Sequence, residues 1–432
     1  MTTIRTGLLT DLGEELLKNR SIRRTRDSAL EARVKEILNR VRSEGDRALL
    51  DFTLKFDGVD VSSKGLRVGE SEIATARAKA TPEDIQALEY LRRRVTRIER
   101  RKLKAVNYTY GDGKIRLRQV TRPLRSVGCY VPGGRAAYPS TVLMTVVPAK
   151  VARVPRIAVC SPPSKDGEVE PLVLVAADLC GVNEVYRVGG AQAIAAMAYG
   201  TNSIRPVDKI VGPGGEFVTA AKQMVSDIVA IDLPAGPSEI LVLADDSADP
   251  RAVALDLVSQ AEHAPDNIPI LVTTSQQVLE ETARQIEGML DSLQRGEIVE
   301  EAFSRQGALL LANSMDDALA FVNRFGPEHL EILARQPRRL AEKVTAAGII
   351  LLGEHTPAAA SDYCLGTNHV LPTMGFAQTY SGLSVLDYVK MIPVVECRRS
   401  ALKAMLRPAK TFSEREGLPN HYLALEGRFG DD

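Results

Sequence analysis

Three short segments of the chain carry side chains that can act together chemically. In Ser259-Gln260-Ala261-Glu262-His263, at the end of a helix expected to begin near Asp249-Pro250, Gln260 and His263 stand three apart and share one helix face. An amide oxygen and an imidazole nitrogen so placed can hold a borderline metal such as zinc. Phe325-Gly-Pro-Glu-His-Leu-Glu331 sets Glu328 beside His329, two proton-transfer groups that titrate near neutrality when partly buried. Ser361-Asp-Tyr-Cys-Leu-Gly-Thr-Asn-His369 adds Asp362 and His369 on an irregular loop. Gln260, His263, Asp362 and His421 together make a mixed nitrogen and oxygen shell that suits zinc and leaves room for a substrate. Each pair taken alone also reads as an ordinary hydrogen-bonded or surface pair, and spacing leaves that alternative open. For His421, so near the end of the sequence, a ligand role requires the tail to fold onto a site, its own or a neighbour's. His355 belongs to no such group and reads as an exposed or core-satisfied histidine.

Positioning these groups falls to elements that change character along the chain. The first 110 residues read as helices: Ser28-Ala-Leu-Glu31 is a capping box followed by Leu30, Val34, Ile37, Leu38 and Val41 at helical spacing, and Thr81-Pro82-Glu83-Asp84 opens a second helix. That helix carries an apolar stripe (Leu88, Leu91, Val95, Ile98) and a basic face including Arg93, Arg97, Arg100 and Arg101. Without interleaved aromatics the basic face reads as solvated or as a partner contact, not as a nucleic-acid patch. From about residue 120, short apolar runs alternate with helices. Strands are expected at 126–131, 156–161, 185–188, 209–211, 239–244, 268–273, 308–311 and 348–352. This alternation means parallel α/β sheet. Two open sheets are preferred over one barrel, because Ile231-Asp-Leu-Pro-Ala-Gly-Pro237 reads as a crossing between domains.

Composition bounds the rest. The chain has 432 residues, 55 basic and 55 acidic, so no net charge draws it to nucleic acid or an anionic membrane. No apolar run reaches bilayer length, and the five cysteines, odd in number and without a C-x-x-C, argue for reduced thiols in a cytoplasmic protein. Three glycine-rich turns, Val131-Pro-Gly-Gly134, Val188-Gly-Gly190 and Val211-Gly-Pro-Gly-Gly215, each follow an expected strand. None is a dinucleotide fingerprint or a phosphate loop, yet three in one block favour a ligand-binding edge at the carboxyl ends of the strands.

Taken together, these motifs resemble the histidinol dehydrogenase family. The resemblance rests on Tyr130-Val-Pro-Gly-Gly134, Tyr138-Pro-Ser-Thr-Val-Leu-Met144, Gly189-Gly-Ala-Gln-Ala-Ile194, Ala235-Gly-Pro-Ser-Glu239, Gln260-Ala-Glu-His263, Pro327-Glu-His-Leu330, Asp362-Tyr, Asn368-His-Val-Leu-Pro372 and Glu416-Gly-Leu with His421, in order over residues 28–425. It implies a zinc-dependent, NAD-linked homodimer that oxidises L-histidinol through L-histidinal to L-histidine. It also implies an α/β fold of two incomplete Rossmann-like open-sheet domains, one inserted in the other, with small helical N- and C-terminal pieces. The corresponding boundaries are 1–27, 28–128 with 239–380, 129–238 (inserted, on the NAD side) and 381–432, the last exchanged between subunits.

By the same resemblance Gln260, His263, Asp362 and His421 are the zinc ligands, His421 coming from the other subunit, and these four also touch substrate. Glu328 and His329 are the acid–base pair. Ser238, His329, His369 and Glu416 line the substrate pocket; Tyr130, Gln192 and position 215 face NAD. One departure stands out: Gly212-Pro-Gly-Gly215 replaces the family's Gly-Pro-Gly-Asn, so Gly215 offers no side chain to the cofactor. That departure keeps open a related dehydrogenase of another small primary alcohol, such as a sulfonated diol. A zinc-binding protein or metallohydrolase without redox activity is a third reading, weakened by the absence of H-E-x-x-H.

Overall fold

The computed structural model describes residues 4–23, 28–134, 137–234 and 236–430. Two all-parallel sheets organise it. The first has six strands in the order β1-β11-β10-β9-β12-β13, formed by Thr6–Leu8, Ala308–Leu311, Ile268–Thr273, Glu239–Ala244, His329–Leu333 and Ile349–Leu352. The second has five, β6-β5-β4-β7-β8, formed by Val185–Arg187, Arg156–Ser161, Ser126–Tyr130, Lys209–Val211 and Ala230–Ile231. An antiparallel arm, β14-β3-β2, joins Val389–Cys397, Ile115–Pro123 and Tyr108–Gly111. Strands covered on both faces need apolar side chains on both, and every residue of β9 and β10 is buried.

The fold is the α/β arrangement of two open sheets that the sequence implies, with the crossing between them at residues 232–238, since β8 ends at Ile231 and β9 begins at Glu239. The packing draws the boundaries differently, however. Helices Ser28–Glu44 and Asp46–Asp57 bury Val34, Ile37, Leu49 and Phe52 with Ala158, Ile194 and Ile210, against one face of the second sheet. Helices Glu70–Lys79 and Pro82–Ala105 bury Ile73, Leu88, Leu91 and Val95 with Val127, Val159 and Leu143, against the other. Residues 28–105 therefore pack onto the second sheet, not the first, because their apolar stripes complete its two cores. The N-terminal piece is likewise more than helical: Thr6–Leu8 pairs with Leu309–Leu311 at the edge of the first sheet.

The C-terminal piece divides in two. Val385 and Tyr388 are buried in the second sheet's core, and Val389–Cys397 pairs along the whole length of β3. Beyond it, helices Arg399–Arg415 and Pro419–Glu426 and the turn between them carry Phe412, Leu423 and Leu418 in the open. All five cysteines are unpaired, His355 is exposed, and no helix among the described residues is long and apolar enough to cross a membrane.

Candidate active site

The site forms where the amino ends of the first sheet's strands meet helix ends. Gly326 closes helix Met315–Phe325 in the left-handed conformation (φ 59°), Pro327 prevents the helix from resuming, and β12 begins at His329. The chain thus delivers Glu328 just before, and His329 as the first residue of, an interior strand. Both are buried, at 5% and 3% exposure, whereas a chance Glu-His pair lies on the surface. Gly348 stands where a Cβ would lie 2.6 Å from the Glu328 carbonyl, so the neighbouring strand can approach only with glycine there.

Glu239, the first residue of β9, holds the pair by its backbone. Its N–H donates to Glu328 Oε2 at 2.8 Å, and its carbonyl lies 3.3 Å from His329 Nδ1. That contact favours a proton on Nδ1; Nε2 has no hydrogen-bond partner and lies 3.6 Å from Asp362 Oδ1. Burial would hold the imidazole neutral, but the Glu328 and Asp362 carboxylates outweigh it and push its pKa well above the ordinary value.

Gln260 sits in the last turn of helix Pro250–Ala261, started by the Asp249 cap on the Arg251 N–H. Its side-chain amide lies 3.3 Å from Asp362 Oδ2, and its carbonyl accepts from Asn267 Nδ2 at 2.7 Å; Asn267 Oδ1 in turn accepts from the Ser238 N–H. Asp362 lies in the last turn of helix Ala358–Tyr363, 3.6 Å from His329 Nε2. Burial pushes the Asp362 carboxyl up, but the His329, His369 and His263 imidazoles outweigh it and hold it below the usual range. Burial, the largest effect at His263, keeps that imidazole's pKa below its ordinary value despite the Asp362 carboxylate nearby. His369 bridges the two halves: Nδ1 is 3.3 Å from the Asp362 carbonyl and Nε2 is 3.3 Å from Thr141 Oγ1, at the start of the helix that follows the first glycine turn.

Across the gap, the carboxyl ends of the second sheet's strands carry the glycine turns. The Gly190 N–H donates to the Tyr130 hydroxyl, whose pKa burial pushes up to about 12. Gln192 is buried and its Oε1 lacks a partner. A side chain at Gly212 (φ 120°) would run into the Tyr130 carbonyl, whereas one at Gly215 would meet nothing within 4 Å.

The histidinol dehydrogenase family model matches residues 20–429. The chain belongs to the histidinol dehydrogenase family. A "Histidinol dehydrogenase" of Methanothermobacter thermautotrophicus is 44% identical over 398 residues, 92% of this chain and 93% of the relative. One from Rhodospirillum rubrum is 46% identical over 397 residues, 91% of each chain. A crystal structure of histidinol dehydrogenase from Elizabethkingia anophelis superimposes with a TM-score of 0.92 at 34% identity, covering 99% of this chain and 98% of that one. The protein is thus an oxidoreductase of histidinol dehydrogenase type, which fits the oxidation in histidine biosynthesis.

Of the residues that the family resemblance singles out, one chain gathers Glu328, His329, Gln260, Asp362 and His369, with Ser238 held beside them through Asn267 and His263 within electrostatic reach of Asp362. It does not bring His421 or Glu416 to them; both are exposed on the C-terminal helix pair. Among the described residues no group of three or more His, Cys, Asp or Glu side chains is drawn tightly enough to hold a metal. The donors nevertheless fit zinc in kind: an amide and an imidazole of lowered pKa from one helix end (Gln260 and His263) and a carboxylate (Asp362), with a place left for a donor from elsewhere. As drawn, Gln260 turns its amide nitrogen to Asp362; a flip of that amide presents the oxygen. On the cofactor side, the unsatisfied Gln192 Oε1 and the open turn at Gly215 are what a bound dinucleotide would use.

Sequence reasoning missed the layer behind the site. Glu239 and Arg20 form a buried ion pair at 2.7 Å. Glu331, two residues beyond His329 and so on its side of β12, accepts from the Ala358 N–H at the start of the helix carrying Asp362. Burial, then the nearby Asp256 carboxylate, pushes Glu331 well above the carboxylate range, and burial pushes Asp256 up as well. The available signal was charge at strand starts and in strand interiors, where a parallel sheet admits it only when paired.

Proposed function

We propose that this protein oxidises L-histidinol to L-histidine through L-histidinal, using two NAD and one zinc ion per subunit, in the cytoplasm and as a homodimer. The observation that carries the reading is the juxtaposition of a buried Glu328–His329 pair with Gln260 and Asp362 at one sheet edge, facing glycine turns at another. When bound, zinc would fix the substrate's amino and imidazole nitrogens, and NAD would accept the hydride in each of the two oxidations.

The protein's own residues do the proton work. His329, with its Nδ1 proton directed at the Glu239 carbonyl, takes the substrate hydroxyl proton at Nε2 when in its neutral form, as the alcohol becomes aldehyde. Glu328, its Oε2 fixed by the Glu239 N–H, takes a proton from the water that adds to the aldehyde. Gln260, His263 and Asp362 would hold zinc, and His421 from a second copy would complete the set; His369 and Ser238 would border the substrate, as would Glu416 from the tail. Tyr130, Gln192 and the Gly215 turn would bind NAD. The homodimer is supported by Met391, Ile392, Val394, Val395, Phe412 and Leu423, all exposed on the arm and tail of the single chain.

The acidic lining of the pocket by Glu328 and Asp362 suits a basic imidazole and amine. A sulfonated alcohol would need basic groups there. Gly215 remains the one feature favouring a different small primary alcohol. The test is NADH formed per L-histidinol consumed by the zinc-loaded enzyme: two per substrate, abolished by a chelator, is expected. No turnover with zinc and NAD supplied would overturn the reading in favour of another alcohol.

A further inference from the structure

Both members of the acid–base pair hang on the backbone of one residue. The Glu239 N–H is bound to Glu328 Oε2 and the Glu239 carbonyl faces His329 Nδ1, so any shift of Glu239 moves both groups at once. The Glu239 side chain is wholly buried and fastened at both oxygens. Oε1 accepts from the Met374 N–H at 2.8 Å, and Oε2 receives Arg20 Nη2 at 2.7 Å. Arg20 is itself 7% exposed; its guanidinium stacks 3.7 Å from the centre of the Phe325 ring and also donates to the Gly326 carbonyl at 3.2 Å.

Gly326 ends the helix that leads directly into Glu328, so Arg20 grips the site from two sides: β9 through the Glu239 carboxylate, and the turn before β12 through a carbonyl. A bare interior carboxylate would be too costly to keep ionised, which explains why a guanidinium is buried with it. Stability alone does not explain the choice, because an apolar pair of similar volume would serve a core as well. What only the charged pair supplies is a fixed position for the two strand starts.

We propose that Arg20 and Glu239 are positioning residues for the reaction, so that the N-terminal segment belongs to the active site although Arg20 touches no reacting atom. The inference rests on the assignment of Glu328 and His329 as the acid–base pair. Arg20 acts as outer-shell partners of catalytic groups do, and the loss of such a partner typically costs about 10- to 100-fold in activity.

The experiment compares full-length, zinc-loaded wild type with Arg20→Met, Arg20→Lys and Glu239→Gln, measuring kcat and KM for L-histidinol, the pH profile of kcat, zinc content and Tm. Arg20→Met is expected to lower kcat about 10- to 100-fold and shift the pH profile, with KM changed less than about threefold and zinc retained. Arg20→Lys, which keeps the charge but not the fork, is expected to recover part of the loss. If Arg20→Met does not fold, the near-isosteric Glu239→Gln carries the same expectation. A variant with lowered Tm but wild-type kcat and pH profile would show a merely structural role and overturn the proposal. Wild type inactive on L-histidinol would instead overturn the substrate reading on which the proposal is measured.

Discussion

The two parallel sheets meet the active site by opposite ends. The five-stranded sheet offers carboxyl ends, where helices Gly190–Tyr199 and Glu216–Met224 begin and direct their positive dipole ends, the Gly190 N–H being held by the Tyr130 hydroxyl. That edge is made of glycine turns and suits a phosphate-bearing cofactor. The six-stranded sheet offers amino ends, where helices Pro250–Ala261 and Ala358–Tyr363 finish and their carbonyl ends lend negative potential. That edge carries Gln260, Asp362, Glu328 and His329 and suits a metal or a basic substrate. One fold thus places an anion-seeking edge against a cation-seeking one. The binding rule for carboxyl ends describes only the cofactor half of this site.

If the division is right, damage at each edge should have its own signature. Asp362→Ala should have the largest effect: zinc content near zero and no measurable oxidation, checked by metal analysis, whereas a variant with full zinc would refute the ligand role. Gly212→Ala should act on the fold at the cofactor edge. The Gly212 N–H is bound by Asp232, itself paired to Lys222, at a φ of 120° that alanine does not tolerate. A loss of about 3 kcal/mol, seen as a lower Tm, is expected; an unchanged Tm would mean the turn is looser than it is drawn.

Asp57 sharpens the comparison through pH. It is mostly buried, its Oδ2 lacks a partner, and burial pushes its pKa up to about 6. Because the folded value exceeds the unfolded one of about 3.9, the native state holds more protons between them. The group's contribution is therefore most favourable at low pH and is lost as pH rises through about 6. Asp57→Asn should stabilise the protein by on the order of 1–2 kcal/mol at pH 7.5, and the gain should vanish near pH 4.5. Denaturation at the two pH values checks this, and a pH-independent difference would contradict it. The smallest effect is expected of Gly215→Asn. Its side chain enters open space, so the Kd for NAD should fall about threefold with zinc content unchanged, by calorimetry. Weaker NAD binding would mean the backbone turn itself is the contact.

The eight strands expected from the sequence all form, because buried parallel strands such as Ile268–Thr273 are largely apolar runs between turn signals. β12 was missed because its sequence, His-Leu-Glu-Ile-Leu, interrupts the apolar run with two polar residues, His329 and Glu331. β3 and β14 were missed because Ile115–Pro123 alternates with arginines and Val389–Cys397 is almost wholly exposed. The misplaced helices at 28–105 have a related cause: amphipathic stripes show that a helix packs, not on which sheet. At the site, the residues that the family resemblance assigns to ligands were legible as motifs. The pairing of Arg20 with Glu239 and of Asp256 with Glu331 was not, because the partners lie far apart in sequence and only the fold joins them.

The most direct test of the division is calorimetric titration of NADH into wild type, Gln192→Ala and His329→Asn, with turnover of L-histidinol measured on the same samples. Gln192→Ala should weaken NADH about tenfold, while His329→Asn should bind NADH within about twofold of wild type and retain zinc, yet lose at least about 10²-fold in kcat. If His329→Asn loses NADH binding, or Gln192→Ala keeps it in full, then the two edges do not divide cofactor binding and proton transfer, and the account fails.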